Sequence, residues 1–161
     1  MNHQKEYMNR CIQEVVSTVI YIFLININKS IKYFSLAAKQ KDSNSQFILG
    51  KIYLKGEYIK QDVEKSLYFL NLAAEQDHTE AQFILGLLYY EGKLIKQDLD
   101  KSIHFYSLAA EHDHQLAQYN LGVHFFDGKF VKKDIDKAIY YFTLAAGKNN
   151  VNAQYNLGLI Y

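Results

Sequence analysis

One feature constrains this chain more than any other: a period of 36 residues that runs without insertion or deletion. Segments starting at Gln46, Gln82, Gln118 and Gln154 close on Leu49-Gly50, Leu85-Gly86, Leu121-Gly122 and Leu157-Gly158. Tyr53, Tyr89, Phe125 and Tyr161 keep the same step, as do Gly56, Gly92 and Gly128, then Asp62, Asp98 and Asp134, then Lys65, Lys101 and Lys137. A unit this short cannot bury an apolar face alone, so repetition in register implies units stacked on their neighbours.

Within a unit the apolar spacing is helical. Ala81, Leu85, Leu88 and Tyr89 fall on one face and predict a first helix from about Thr79 to Tyr90. Gly86 inside that helix costs about 1 kcal/mol relative to alanine. Its recurrence therefore predicts close approach of a neighbouring helix. Gly92 suits a left-handed C-terminal turn. Asp98, like Asp62 and Asp134, is expected to cap a second helix by accepting from its free N–H groups. That helix runs through Phe105, Leu108, Ala109 and Ala110. The paired alanines, repeated at Ala37-Ala38, Ala73-Ala74 and Ala145-Ala146, leave room for another helix. Asp113 and His114 then turn the chain. The expected fold is all-α: a right-handed α/α superhelical solenoid of helix-turn-helix units. The array covers residues 26–161, with a second helix at 26–41, full units at about 42–77, 78–113 and 114–149, and a truncated unit at 150–161.

Residues 1–25 depart from the pattern, and an apolar run spans Val15–Ile27. Three readings compete: a degenerate first helix capping the array, a signal peptide or anchor preceded by Lys5 and Arg10, or a membrane span. A span calls for about 18 or more apolar residues. Any membrane association is expected only through residues 15–27, and the remainder reads as intracellular. At the other end Tyr161 stands in a first helix without its partner helix. The expectation there is a longer protein or a covering chain, since solenoids end in polar caps.

Composition narrows the function classes. A net charge of +1 argues against broad electrostatic capture of nucleic acid. The absence of proline fits a helical chain. The single cysteine, Cys11, rules out an intramolecular disulfide and reads as a small apolar residue.

The pattern Ala81-x-x-x-Leu85-Gly86-x-x-Tyr89-x-x-Gly92, followed by Ile95, Asp98, Lys101-Ser102, Phe105 and Ala109-Ala110, resembles Sel1-like repeats. The resemblance extends from Asn26 to Tyr161. The related tetratricopeptide repeat shares the Leu-Gly-x-x-Tyr core, but its period is about 34 residues and it usually carries a proline. The resemblance implies adaptor proteins, with members in membrane-protein quality control, regulation of cell-wall synthesis and bacterial signalling. Two departures stand out. Asp77, Asp113 and Asn149 occupy positions where the family often has glycine, and both residue types tolerate a left-handed backbone. The cysteine pairs that staple secreted bacterial members are missing, which weakens carry-over of the hydrolase activity suggested for those members.

No catalytic constellation emerges. No serine lies three residues before a lysine, and Gly128-Lys129 lacks the spacing of a phosphate loop. His112-Asp113-His114, with His104 two turns earlier, reads as solvated polar residues at a turn. No cofactor, metal or catalytic residue is therefore expected. In tetratricopeptide-like folds the first helices line the concave groove. The groove positions here are Phe47, Lys51 and Lys55, then Phe83, Leu87, Tyr90 and Glu91, then Tyr119, Val123, Phe126 and Asp127, and finally Tyr155. One column is aromatic throughout (Phe47, Phe83, Tyr119, Tyr155) and suits either packing between repeats or partner contact. Another changes sign along the array (Lys55, Glu91, Asp127) and is the better candidate for specificity. The expected function is a non-enzymatic scaffold that binds another protein, as a peptide segment or a folded domain. The alternatives are a small hydrolase, or a structural segment of a longer scaffold without a ligand of its own.

Overall fold

A computed structural model describes residues 25–129 and 131–161, and all regular structure among them is helical. The order is α1 (25–39), α2 (Ser43–Lys55), α3 (Val63–Ala74), α4 (Thr79–Glu91), α5 (Leu99–Glu111), α6 (Gln115–Asp127), α7 (Ile135–Gly147) and α8 (Val151–Ile160). Each helix packs mainly on the helices before and after it in sequence. The helices therefore form a stack of hairpins, α2–α3, α4–α5 and α6–α7, flanked by α1 and α8. Most of the Val15–Ile27 run, and Cys11, lie outside the described residues.

The helix ends follow from short-range chemistry. Asp62, Asp98 and Asp134 cap α3, α5 and α7, accepting from the backbone N–H of Lys65, Lys101 and Lys137 at 2.9, 3.1 and 3.0 Å. The lysine three residues after each cap is a second device. Its ammonium lies 5.3, 5.1 and 5.1 Å from the ring centres of Tyr53, Tyr89 and Phe125. Those marker rings in turn stack on Phe69, Phe105 and Tyr141 within each hairpin, at 5.9, 5.9 and 5.8 Å. The first helices are capped differently: Asp42, His78, His114 and Asn150 accept from the residue three positions on. His114 is thus a half-buried cap rather than the solvated turn residue expected from sequence. Its Nδ1 accepts from the Ala117 N–H at 3.1 Å, which requires the neutral ring.

Gly56, Gly92 and Gly128 close the first helices at φ of 67, 65 and 64°. The turns between units use Asp77, Asp113 and Asn149 at 58, 64 and 63°, and Lys41 at 66°. Lysine has no short polar side chain to ease that backbone, so Lys41 is the strained member.

The core is a column of small residues and leucines: Leu49, Ala81, Leu85, Ala117, Leu121 and Ala153 are fully buried. A glutamine, buried in all but the last unit, joins each unit to the one before. Gln46, Gln82, Gln118 and Gln154 donate to the carbonyls of Ala38, Ala74, Ala110 and Ala146 at 3.2–3.3 Å. The paired alanines therefore serve twice, admitting the next helix and offering it a carbonyl.

Candidate functional site

The twelve groove positions divide into three groups. The first is the aromatic column. Phe47 stacks on His78 and Phe83 on His114, each with ring centres 4.3 Å apart, so both rings bear on the cap of the following unit. Tyr119 leans instead on Phe142 of its own hairpin at 6.0 Å, and Tyr155 is 67% exposed. Two of the four rings thus have a packing role between repeats, while all but Tyr155 stay half-buried.

The second group is charged and exposed. Lys51 lies over the Phe47 ring at 5.1 Å. Lys55 pairs with Glu57 at 3.4 Å and Glu91 with Lys93 at 3.2 Å, both among solvated side chains worth little to stability. Asp127 is exposed at the equivalent place in α6. Lys51 and Lys55 border a cavity of about 190 Å³ together with Ile48, Ile52, Glu57 and Tyr58.

The third group converges. Leu87 and Tyr90 of α4 and Val123 of α6 line one cavity of about 140 Å³ with Tyr106, Asn120 and His124. Phe126, one turn after Val123, lies edge-on to Phe142 at 6.3 Å and does not line this cavity. The last three lining residues were not among the sequence candidates. Burial pushes the Tyr106 phenol up to about 12, with Asn120 beside it offsetting part of the rise. Burial also holds the His124 imidazole below the usual histidine range, against the pull of Asp127. At neutral pH the cavity therefore presents a protonated phenol, an amide and a neutral imidazole. A signal for these residues exists in the sequence. Tyr106, Asn120 and His124 stand where the preceding unit has Leu70, Ile84 and Leu88.

Elsewhere the titratable groups are paired along the turns. His112 faces Asp77 at 3.5 Å, Lys148 faces Asp113 at 2.6 Å, and His114 Nε2 faces Glu80 at 3.4 Å. These contacts cross from one unit to the next. Among the described residues no three His, Cys, Asp or Glu side chains gather as a metal site would require. No helix of the described residues is long and apolar enough to cross a membrane.

Comparison with known proteins gives a consistent picture. The Sel1 repeat model matches residues 24–42, 43–78, 79–114, 115–150 and 151–161. A Sel1 repeat protein from Oxalobacter formigenes superposes with a TM-score of 0.73 at 31% identity, covering 79% of this chain and 96% of that one. A protective antigen of uropathogenic Escherichia coli strains, described as displaying an SLR fold, gives 0.76 at 32% identity over 81% of this chain. This chain spans only 28% of that antigen. Helicobacter pylori cysteine rich protein B gives 0.61 at 26% identity, covering 80% of this chain and 92% of that one. The solenoid thus persists here in a sequence with one cysteine. No match was found among curated proteins.

Proposed function

This chain belongs to the Sel1 repeat family, whose members are generally protein-interaction scaffolds, and from that premise we propose that it is a non-enzymatic scaffold. It binds a protein partner along the face built by α2, α4 and α6, the concave side of the solenoid. The observation that carries this reading is a contrast between columns. Core positions repeat almost unchanged, as in Leu49, Leu85 and Leu121, which are all fully buried. The exposed column at the last residue of each first helix instead reads Lys55, Glu91 and Asp127. A frame held constant while its surface changes sign is what partner selection by charge requires.

The test is capture of partners from cell extract by the full chain, followed by affinity measurement with the purified partner. Lys55→Glu weakens binding mainly through slower association, and the difference shrinks at high salt. Equal affinity for Lys55→Glu, Asp127→Lys and the parent, with all three folded, moves the interface to another surface. Turnover of generic ester or amide substrates that follows the purified protein overturns the non-enzymatic part of the reading.

A further inference from the structure

The first unit departs from the others in charge, and the departure follows the repeat columns. Later units hold acids at four places: Asp62, Asp98 and Asp134 at the cap of the second helix, Glu64, Asp100 and Asp136 in its first turn, Glu75 and Glu111 at its end, and Asp77 and Asp113 in the turn beyond. The first unit has Asn26, Asn28, Lys39 and Lys41 there. Lys29 and Lys32 add two more cations, and no acid occurs from Val15 to Lys41. Asp42, which follows, is occupied in capping α2. Lys41 also keeps the left-handed backbone that its counterparts give to Asp or Asn, and strain retained at an exposed lysine points to a use for the charge.

The structure leaves these cations unengaged. In the next unit Lys65 lies 2.9 Å from the Asp62 carboxylate and 5.3 Å from the Tyr53 ring centre. Its counterpart Lys29 has Asn26 in the cap column and Ser17 in the ring column. Lys29, Lys32, Lys39 and Lys41 are all exposed, and among the described residues none of them forms an ion pair. Tyr33 is 68% exposed, whereas Phe69, Phe105 and Tyr141 in the same column are half-buried on the marker rings. Leu36 is exposed as well. Residues 29, 32, 33, 36 and 39 fall on one arc of α1 about 15 Å long. The opposite arc is the packed one, with Ala38 buried and Ile31 and Phe34 half-buried.

Unpaired cations around a tyrosine and a leucine suit an anionic partner with an apolar layer beneath its charge. A bilayer with acidic headgroups has that construction. An acidic protein segment matches the lysines but gives no role to the chain just ahead of them. That chain, Val15–Ile27, is apolar and shorter than the roughly 18 residues a membrane span calls for. An apolar segment followed by a polybasic one supplies the two signals that hold a protein on a membrane surface.

We infer that the outer face of α1 docks on a membrane surface bearing anionic phospholipids. Lys29, Lys32, Lys39 and Lys41 meet the headgroups, with Tyr33 and Leu36 at the headgroup level. Membrane contact thus extends beyond residues 15–27 to the solenoid itself. The face lies apart from α2, α4 and α6, so the inference does not depend on the scaffold reading.

The test is co-flotation of the full chain with vesicles of phosphatidylcholine alone or with about one third phosphatidylserine. The parent is expected to float with the anionic vesicles only, and to be released as salt rises from about 0.1 to 0.5 M. Lys39→Glu with Lys41→Asp installs the residue types of the second unit, so this double variant is expected to fold at least as stably as the parent. Its binding should fall at least about twentyfold, since each lysine near an anionic surface contributes about fivefold. Lys29→Gln with Lys32→Gln, at two exposed sites, should fall about tenfold or more. Circular dichroism establishes that both variants are folded. Equal flotation with the two kinds of vesicle, flotation with neither, or unchanged binding by either folded variant overturns the inference. A captured protein partner that loses affinity for the same variants, while anionic vesicles do not bind the parent, gives the face to an acidic protein and overturns it too.

Discussion

A β-carbon added to Gly86 would stand 2.6 Å from Cδ1 of Tyr106, inside the contact distance of any real pair of carbons. The face of a fully buried ring thus lies directly on the backbone of the facing helix, and the same seat recurs at Gly122 on Phe142 and at Gly50 on Leu70. Gly158 has nothing within 4 Å.

Glycine substitutions should therefore split by position. In Gly86→Ala overpacking of about 1–3 kcal/mol outweighs a gain of about 1 kcal/mol in helix propensity, so the variant melts lower than the parent. Gly158→Ala has only the propensity gain and melts at the same temperature or higher. Thermal unfolding followed by circular dichroism checks both, and equal effects at the two sites refute the close-packing argument.

Lys41 pays for a left-handed backbone that three other turns assign to Asp or Asn. Lys41→Gly removes a strain of about 1–2 kcal/mol and adds roughly 0.5–1 kcal/mol of unfolded-state entropy, for a small net stabilisation. Asp113→Gly should gain less, because the Asp113 carboxylate also accepts from Lys148 at 2.6 Å. Denaturant midpoints rank the two.

Burial lowers the pKa of both His114 and His124, with Glu80 opposing at the first and Asp127 at the second. The unfolded chain then takes up protons near pH 6.5 while the folded chain resists until lower pH. Stability is accordingly level above that value and falls as the solution is acidified through it. His114→Asn keeps the cap, since Asn150 makes the same bond in α8 at 2.9 Å, and removes one titration. Unfolding between pH 8 and 5 should show a shallower slope for this variant, and an unchanged slope would mean His114 does not contribute.

The aromatic column should prove mixed. Phe83 stacks on His114 and also touches Tyr106, at ring distances of 4.3 and 5.8 Å, so Phe83→Ala is expected to cost about 2–4 kcal/mol. Tyr155→Ala, at a site 67% exposed, should change stability by no more than about 0.5 kcal/mol. Chemical denaturation of the two variants decides how far this column serves packing.

Much of the fold is legible in the amino-acid order because its determinants are local and repeated. An aspartate three residues before a lysine caps a helix wherever the chain places it, and Asp62, Asp98 and Asp134 do so. A glycine inside a helical pattern marks a close contact because it is otherwise unfavourable, and Gly86 and Gly122 mark theirs. The spacing also located Leu87, Tyr90 and Val123 on one face. By itself, then, the amino-acid order determined the helices, their ends, the hairpin period and the columns that run along the array. Tertiary structure decided what each column touches. The second role of the register lysines over the marker rings and the glutamine bonds to alanine carbonyls join residues across a hairpin or between units. No period displays them. The cavity is the clearest case. Tyr106, Asn120 and His124 break the column pattern in sequence, but they come from two different helices. Only the packing of α5 against α6, beneath the end of α4, brings a phenol, an amide and an imidazole around one space.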